Sequence, residues 1–289
     1  MTHDSSAGPL AGRTLFMSGG SRGIGLAIAE RVARDGANVA LMAKSDEPHP
    51  KLEGTIHTAA ERIEAAGGSA LPIVGDVRHQ DQVEAAVAQT LEHFGGIDVC
   101  LNNASAINLA GVGDLPLKGY DLMQSINVRG TFVCIQACLP ALERSDHAHI
   151  LTLSPPLFIR TDWLSPQAAY AVSKLGMTMV TLGAAGDLRE KGVAANCLWP
   201  RTMIATAAVQ NLLGGDEAMN RSRKPEIVAD AAYEIFRRDP RELTGRTLMD
   251  DEILAEAGVD DLSPYAYVED ADLQLDLFVA GWADGARPA

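Results

Sequence analysis

Cysteine is scarce in this 289-residue chain, with four residues in all: Cys100, Cys134, Cys138 and Cys197. No two of them form a C-x-x-C pair, so no cysteine-based metal spacing is present and no metal is expected. Cys134 and Cys138 fall four apart on a predicted helix and read as small core residues. This usage fits a reducing, cytoplasmic compartment. Long apolar runs are missing too: none approaches the roughly 18 residues of a membrane helix, so no membrane partner is expected. Residues 1–12 lack the cationic start and apolar stretch of a signal peptide and read as a flexible tail. Positive charge is outnumbered, with 24 Lys and Arg against 38 Asp and Glu and a net charge of −14. That balance argues against general nucleic-acid binding, which needs a basic surface. There is no internal repeat, and no linker divides the chain.

What the chain does have is core, with 47% hydrophobic and 21% charged residues. Leu15-Phe16-Met17 reads as a buried strand, and Ile24, Ala27, Ile28 and Val32 recur at helical spacing after it. Gly36 closes that helix, and Asn38 to Ala43 is a second buried strand. Helices through Ile56, Ala59, Ala60 and Ile63, and through Val83, Ala86, Val87 and Leu91, alternate with strands at 70–74 and 97–101. A long helix at about 117–144, a strand at 149–153, an irregular segment at 154–165 and a helix at about 167–190 come next. A strand at 193–198, a loop with two helices over 200–240 and a seventh strand at 246–249 complete the pattern. Such alternation implies an α/β fold: one doubly wound parallel sheet of about seven strands with right-handed crossovers and helices on both faces. The domain is expected to span 13–251. An acidic extension, 252–289, carries apolar anchors (Leu254, Leu262, Tyr265, Tyr267, Leu275, Leu277, Phe278, Trp282) that should pack it on the same domain.

Ligands of such sheets bind outside the carboxyl ends of the strands. The informative residues do follow strands. Ser18-Gly19-Gly20-Ser21-Arg22-Gly23-Ile24-Gly25 links the first strand to the first helix. Glycines there let the backbone approach an anion, and free N–H groups at the helix start point at its charge. Lys44 follows the second strand, Asp76-Val77 the third, Asn102-Asn103-Ala104-Ser105 the fourth, Ser154 the fifth and Pro200 the sixth.

Tyr170 and Lys174 lie four apart, so a helix projects them to the same side. A neighbouring ammonium favours the phenolate and lowers a tyrosine pKa from about 10 toward the range of a general acid–base. The glycine spacing G-x-x-x-G-x-G, Asn102-Asn103-Ala104, Asn127 and Tyr170-x-x-x-Lys174, in that order, resemble the short-chain dehydrogenase/reductase family over about 13–251. Lys44 to Gly54, Leu153-Ser154-Pro155-Pro156, Leu198-Trp199-Pro200 and Asp250 to Leu254 are similar to its hydroxysteroid dehydrogenase-like protein 2 branch. The sterol-carrier domain that can follow in that branch has no counterpart in this sequence.

The resemblance implies a single-domain Rossmann-type oxidoreductase. Tyr170 would exchange a proton with the substrate oxygen while nicotinamide exchanges a hydride with its carbon. Lys174 would hold the nicotinamide ribose and depress the tyrosine pKa, and Asn127 would position a water that relays protons from Lys174. Asp76, Val77, Asn103, Ala104 and Ser105 would meet the adenosine side, with Ser18, the glycine loop and Pro200 completing the cofactor site. The family's active-site serine is the second of two residues closing strand five, where this sequence has Pro155. Ser154, 16 residues before Tyr170, either takes the role through a shifted loop or merely ends the strand; Thr161 and Ser165 are weaker substitutes. After strand six the usual Pro-Gly is Pro200-Arg201, leaving the loop path open, with Thr206 offering a hydroxyl to a carboxamide or phosphate.

NAD-specific members place an aspartate at the end of strand two. Here Ala43 occupies that position with Lys44 next, so Lys44 and Arg22, with Ser45 as a further donor, favour NADP(H), NAD(H) being the second choice. The expected substrate is a small, apolar carbonyl or alcohol compound; the alternatives are reduction of an enoyl thioester and a non-catalytic NADP-binding regulator. Pocket walls are expected from 105–115, 155–166 and 200–220, with Leu157, Phe158, Ile159, Trp163 and Leu164 either lining the pocket or packing under a loop. Pairing of the two long helices into a homodimer or homotetramer is a family habit. Gly176, Gly183, Ala184 and Ala185 would permit it, and an ordinary buried helix explains them equally well.

Overall fold

A computed structural model describes residues 8–48, 54–165 and 167–279. Seven strands, β1 (Thr14–Ser18), β2 (Asn38–Ala43), β3 (Ser69–Val74), β4 (Val99–Asn102), β5 (His149–Leu153), β6 (Ala194–Trp199) and β7 (Thr247–Met249), pair in the order β3-β2-β1-β4-β5-β6-β7. All six pairings are parallel. The helices are α1 (Gly23–Ala33), α2 (Ile56–Ala65), α3 (Gln80–Phe94), α4 (Leu117–Met123), α5 (Gly130–Leu142), α6 (Thr161–Leu164) and α7 (Ala168–Leu188). After β6 come α8 (Ala207–Leu212), α9 (Gly215–Asn220) and α10 (Glu226–Phe236), and α11 (Asp250–Glu256) follows β7.

Side chains alternate across a strand, and with both faces covered β1, β4, β5 and β6 are buried along their whole length. In β1, Leu15 and Met17 join one core with Ile28 and Val32 of α1 and Phe236 of α10. Phe16 points the other way, into a core with Val83 and Val87 of α3 and Cys134 and Cys138 of α5. All four cysteines are buried and unpaired, and burial raises the Cys134 and Cys138 thiols above their ordinary value. Because β1 bonds to both β2 and β4, crossovers leave it in opposite directions, and a crevice opens at its carboxyl end.

Several elements differ from the sequence pattern. The long helix of 117–144 is α4 and α5 joined by a π-helical turn, Gln124–Arg129, that turns Asn127 fully inward. The 200–240 segment holds three helices rather than two, and 154–165 includes the short α6. Within the presumed flexible start, Leu10 is buried against the first core and its N–H bonds Asp35 Oδ2 at 3.1 Å, because an apolar side chain there finds a seat. Of the anchors in the extension, Leu254 and Phe278 are buried, Tyr267 and Leu275 are exposed, and Trp282 lies outside the described residues.

Phe16 is fully buried. Phe16→Ala should therefore lower unfolding stability by about 3–5 kcal/mol, read as a fall in the urea midpoint at unchanged slope.

Candidate functional site

The glycine loop leaves β1 against the loop that follows β4. Gly19 has φ +72°, and a methyl there would lie 3.0 Å from Asn103 Nδ2 and 3.1 Å from Ala104 Cα. At Gly25 a methyl would stand 2.5 Å from Asn103 Nδ2 and 3.0 Å from Gly20 Cα. At both positions the Asn103 side chain is the nearest neighbour, with backbone close behind it, so a side chain would force the two loops apart. Ser18 is buried, and its Oγ accepts the Ala104 N–H at 3.4 Å, pinning the two loops together.

These loops form one end of a cavity of about 860 Å³ that runs to α7. Gly19, Ser21, Arg22, Gly23, Ile24, Lys44, Asp76, Val77, Asn103, Ala104 and Ser105 line it, as do Tyr170, Lys174, Pro200 and Thr206. Ser18, Gly25, Asn127 and Ser154 stand behind the lining rather than in it. Lys44 Nζ is 3.3 Å from Asp76 Oδ2, and Arg78 holds the same oxygen at 2.6 Å. Burial works against the Asp76 charge, yet the Arg78 bonds and the Lys44 charge outweigh it and hold the carboxyl well below the usual range. Arg22 Nη2 donates to Gly54 O at 2.6 Å, tying the glycine loop to the segment before α2.

At the other end, α7 carries Tyr170 and Lys174 inward, 6% and 3% exposed. Their electrostatics reverse the expectation from spacing. Burial raises the Tyr170 phenol above its ordinary value, with Asp276 adding to the shift. The Lys174 ammonium is directed at Leu153 O, 2.6 Å away, and burial lowers its pKa to about 7. Desolvation therefore outweighs any help from the lysine in this state. Asn127 donates to Ala106 O and Ser173 Oγ at 3.0 and 2.8 Å and accepts the Ala106 N–H at 2.7 Å. Ser173 in turn donates to Tyr170 O at 2.8 Å, so Asn127 braces the α7 turn that carries the tyrosine.

Ser154 is fully buried beneath α7, its Oγ 2.9 Å from the Thr178 hydroxyl, which also bonds Pro155 O at 2.7 Å. It faces the core and not the cavity. Thr161 and Ser165 do not reach the lining either, nor does any described residue of 155–165. Trp163 instead packs in a cluster with Tyr170, Trp199 and Phe278, and Ile159 is exposed. Of the anticipated walls, Ser105 and Ile107 and the 204–213 stretch contribute.

Pro200 lines the cavity, whereas Arg201 turns away from it. Its guanidinium bonds Asp251 Oδ2 at 2.9 Å and Glu252 Oε1 at 2.8 Å, and its N–H donates to Asp250 Oδ1 at 2.8 Å. The arginine in place of glycine thus clamps the loop to the acidic first turn of α11. Sequence reading missed the far wall: Asp276 and Leu277 line the cavity beside Trp199, whose Nε1 donates to Leu277 O at 2.9 Å. The available signal was Leu275-Asp276-Leu277-Phe278, one acid bracketed by apolar residues. Among the described residues, no group of three or more His, Cys, Asp or Glu is placed to hold a metal, and no helix is long and apolar enough to cross a membrane.

A doubly wound sheet with a glycine-rich crevice at the β1/β4 switch point and an inward Tyr-x-x-x-Lys pair is the pattern of a Rossmann-type oxidoreductase family. The chain belongs to the short-chain dehydrogenase/reductase family: residues 13–215 match the short chain dehydrogenase profile. It is similar to hydroxysteroid dehydrogenase-like protein 2 of Danio rerio, 48% identical over 98% of this chain and 70% of that protein. Mammalian proteins of that name are longer relative to it, the chain spanning 52% to 65% of their length. A short chain dehydrogenase from Mycobacterium thermoresistibile is 60% identical over 93% of this chain and 96% of its own, with a TM-score of 0.89. A blue fluorescent protein from a metagenomic library, crystallised in complex with NADPH, is 28% identical over 84% of this chain and 97% of its own, with a TM-score of 0.70.

Asp250 is fully buried with Oδ2 unpartnered, and burial raises its carboxyl from 3.8 to about 7. A carboxyl kept protonated by folding contributes stability that is complete below its unfolded pKa and is lost as pH rises through the folded one. Asp276 adds to this decline up to about pH 8, and Lys174, lowered from 10.5 to about 7, works the other way above neutrality. Asp250→Asn should keep the acceptor for the Arg201 N–H. Between about pH 4 and pH 7 its melting temperature, relative to wild type, should rise with pH.

Proposed function

We propose that this protein is an NADP(H)-dependent oxidoreductase that interconverts a carbonyl and an alcohol on a small apolar substrate. One observation carries the reading: a single cavity joins the glycine loop and Lys44 to Tyr170 and Lys174. The fit to a nicotinamide dinucleotide rests on the cradle at Gly19 and Gly25, where a Cβ would crowd Asn103, and on the start of α1, which has no side-chain cap and no acid in its first turn. Ser18, Ser21, Gly23, Ile24 and the backbone around them would hold the pyrophosphate. Asp76, Val77, Asn103, Ala104 and Ser105 would flank the adenosine, and Pro200 and Thr206 the nicotinamide end. The bound cofactor supplies the hydride.

The residues of this chain manage the proton and the charge. Tyr170 gives its phenolic proton to the carbonyl oxygen as the alcohol forms and regains it from solvent. Lys174 holds the ribose hydroxyls; once its ammonium leaves Leu153 O for a site beside the phenol, the tyrosine pKa falls toward neutrality. Asn127 fixes the turn that sets the Tyr170 register. Ala43, where a carboxylate would repel a 2′-phosphate, and the cations Lys44 and Arg22 favour NADP(H) over NAD(H). Ile107, Ile204, Leu212 and Leu213 give the substrate end its apolar character.

A homodimer or homotetramer built on the α4–α5 and α7 faces is part of the proposal. It is supported by Phe132, Val172 and Met179, 52%, 52% and 63% exposed on those helices. Gly176 packs inside the chain, where a methyl would stand 2.8 Å from Val128 Cγ2, whereas Gly183 faces open space.

Fluorescence titration should show NADPH binding at least tenfold tighter than NADH; equal affinities would overturn the assignment. Lys44→Ala should weaken NADPH about tenfold, the loss of one charge-assisted contact, and leave NADH unchanged. Tyr170→Phe should keep NADPH binding and lose about 10²–10⁴-fold in turnover across a panel of aldehydes, ketones and acyl thioesters. Turnover confined to enoyl thioesters would move the assignment to double-bond reduction, and no turnover in wild type would leave a regulatory NADP-binding protein.

A further inference from the structure

The segment after α11 returns over the active site. Met203 N–H donates to Gln274 O at 2.9 Å, Asp276 N–H donates to Arg201 O at 3.1 Å, and Thr202 and Leu275 form an antiparallel bridge. Residues 274–276 are thereby stitched to the loop that follows β6. Phe278, 3% exposed, stacks at 6.0 Å from the Tyr170 ring and packs at 6.0 Å from Trp199. With its backbone held on both sides, the half-buried Asp276 lines the cavity with Trp199, close enough for its charge to act on both Tyr170 and Lys174.

A carboxyl in an apolar substrate cavity needs an explanation, since burying one costs stability unless it is matched. The other half of the problem is the missing serine hydroxyl. Pro155 occupies its position, and Ser154 is sealed under α7 against Thr178. No hydroxyl from the 154–165 stretch lines the cavity to bond a substrate oxygen beside Tyr170. We propose that Asp276 supplies this bond: its protonated carboxyl, carried in by the returning segment, donates to the substrate oxygen opposite Tyr170 and takes the place of the serine hydroxyl. The assignment rests on the oxidoreductase reading above. In the step itself the carbonyl carbon receives the hydride, the oxygen receives the Tyr170 proton, and Asp276 keeps its own proton throughout.

The surroundings favour the neutral acid. Burial pushes the Asp276 carboxyl up to about 8, and the Asp250 carboxyl at the start of α11 adds to it. Against this act the Leu277 N–H and the Lys174 ammonium of α7; Tyr170 of the same helix faces it as a neutral phenol. At neutral pH the group is therefore a donor, as a serine would be, and above about pH 8 it becomes an acceptor that repels a developing alkoxide.

The test uses the full chain and the variants Asp276→Leu, Asp276→Asn and Tyr170→Phe, with NADPH binding measured for each. Asp276→Leu should lose about 100-fold in kcat/KM on the ketone panel, the cost of removing one donor to a developing oxyanion, with NADPH affinity within about twofold of wild type. Asp276→Asn, whose amide still donates, should recover to within about tenfold of wild type and lose the alkaline fall in rate near pH 8. Wild-type turnover by Asp276→Leu, with Tyr170→Phe inactive, would overturn the role of Asp276 and leave the oxidoreductase reading standing. If wild type turns over nothing, that reading falls, and infrared difference spectroscopy decides on Asp276. Asp250 also contributes a carboxylic C=O stretch at pH 6, so the band read is the component that Asp276→Asn removes, which should shift when cyclohexanol is added to the NADP-bound protein. A missing or unshifted band would overturn the proposal.

Discussion

Parallel pairing of β1 with both β2 and β4 is the constraint on which the rest of this molecule depends. It obliges the chain to cross over in opposite directions from one strand, and the gap between the two crossovers opens a crevice where a loop can bring backbone N–H groups to an anion. The glycine loop is shaped by that gap: a Cβ at Gly19 would crowd Asn103 and Ala104, and one at Gly25 would crowd Asn103 and Gly20. Parallel strands also all end on one edge. Side chains separated by more than a hundred residues, Lys44 and Tyr170 among them, therefore share a single cavity.

Against this scaffold the outcome at the Tyr170 end of the cavity is decided by desolvation. Two groups four residues apart on a helix would tune each other in water, but α7 buries both. In a poorly polarisable site each group moves toward its neutral form, so the phenol goes up and the ammonium comes down. Lys174 recovers part of its solvation from the Leu153 carbonyl, which draws it from the tyrosine. The same logic covers Asp250 and Asp276, carboxyls whose pKa burial raises on either side of the Arg201 loop.

Much of the architecture was legible because it rests on local periodicity. Continuous apolar runs bounded by glycine located the strands within two residues, and helical spacing found α1, α2, α3 and α7. Where the reading failed, a competing local effect had no sequence signature. The π-helical turn at Gln124–Arg129 looks like uninterrupted helix until Asn127 is seen bonding Ala106 and Ser173. The third helix in 200–240 arises where Gly214 and Gly215, both at positive φ, break what otherwise scans as one segment.

The sequence by itself determined the fold class, the glycine-rich turn after β1 and the shared helix face of Tyr170 and Lys174, since each depends on residues near in the chain whose spacing sets their relative direction. Lys44 after β2, in place of an acid, is likewise local. Only the tertiary structure decided which hydroxyls and carboxyls face the cavity. Ser154, the residue after β5, lies on the side covered by α7, a matter of which face it presents to Thr178 of a helix formed later in the chain. Asp276 enters from the far end of the chain because residues 274–276 pair with 201–203. Long-range backbone pairing of that kind leaves no periodic mark in either segment. The polar lining of the pocket was therefore written in contacts and not in motifs.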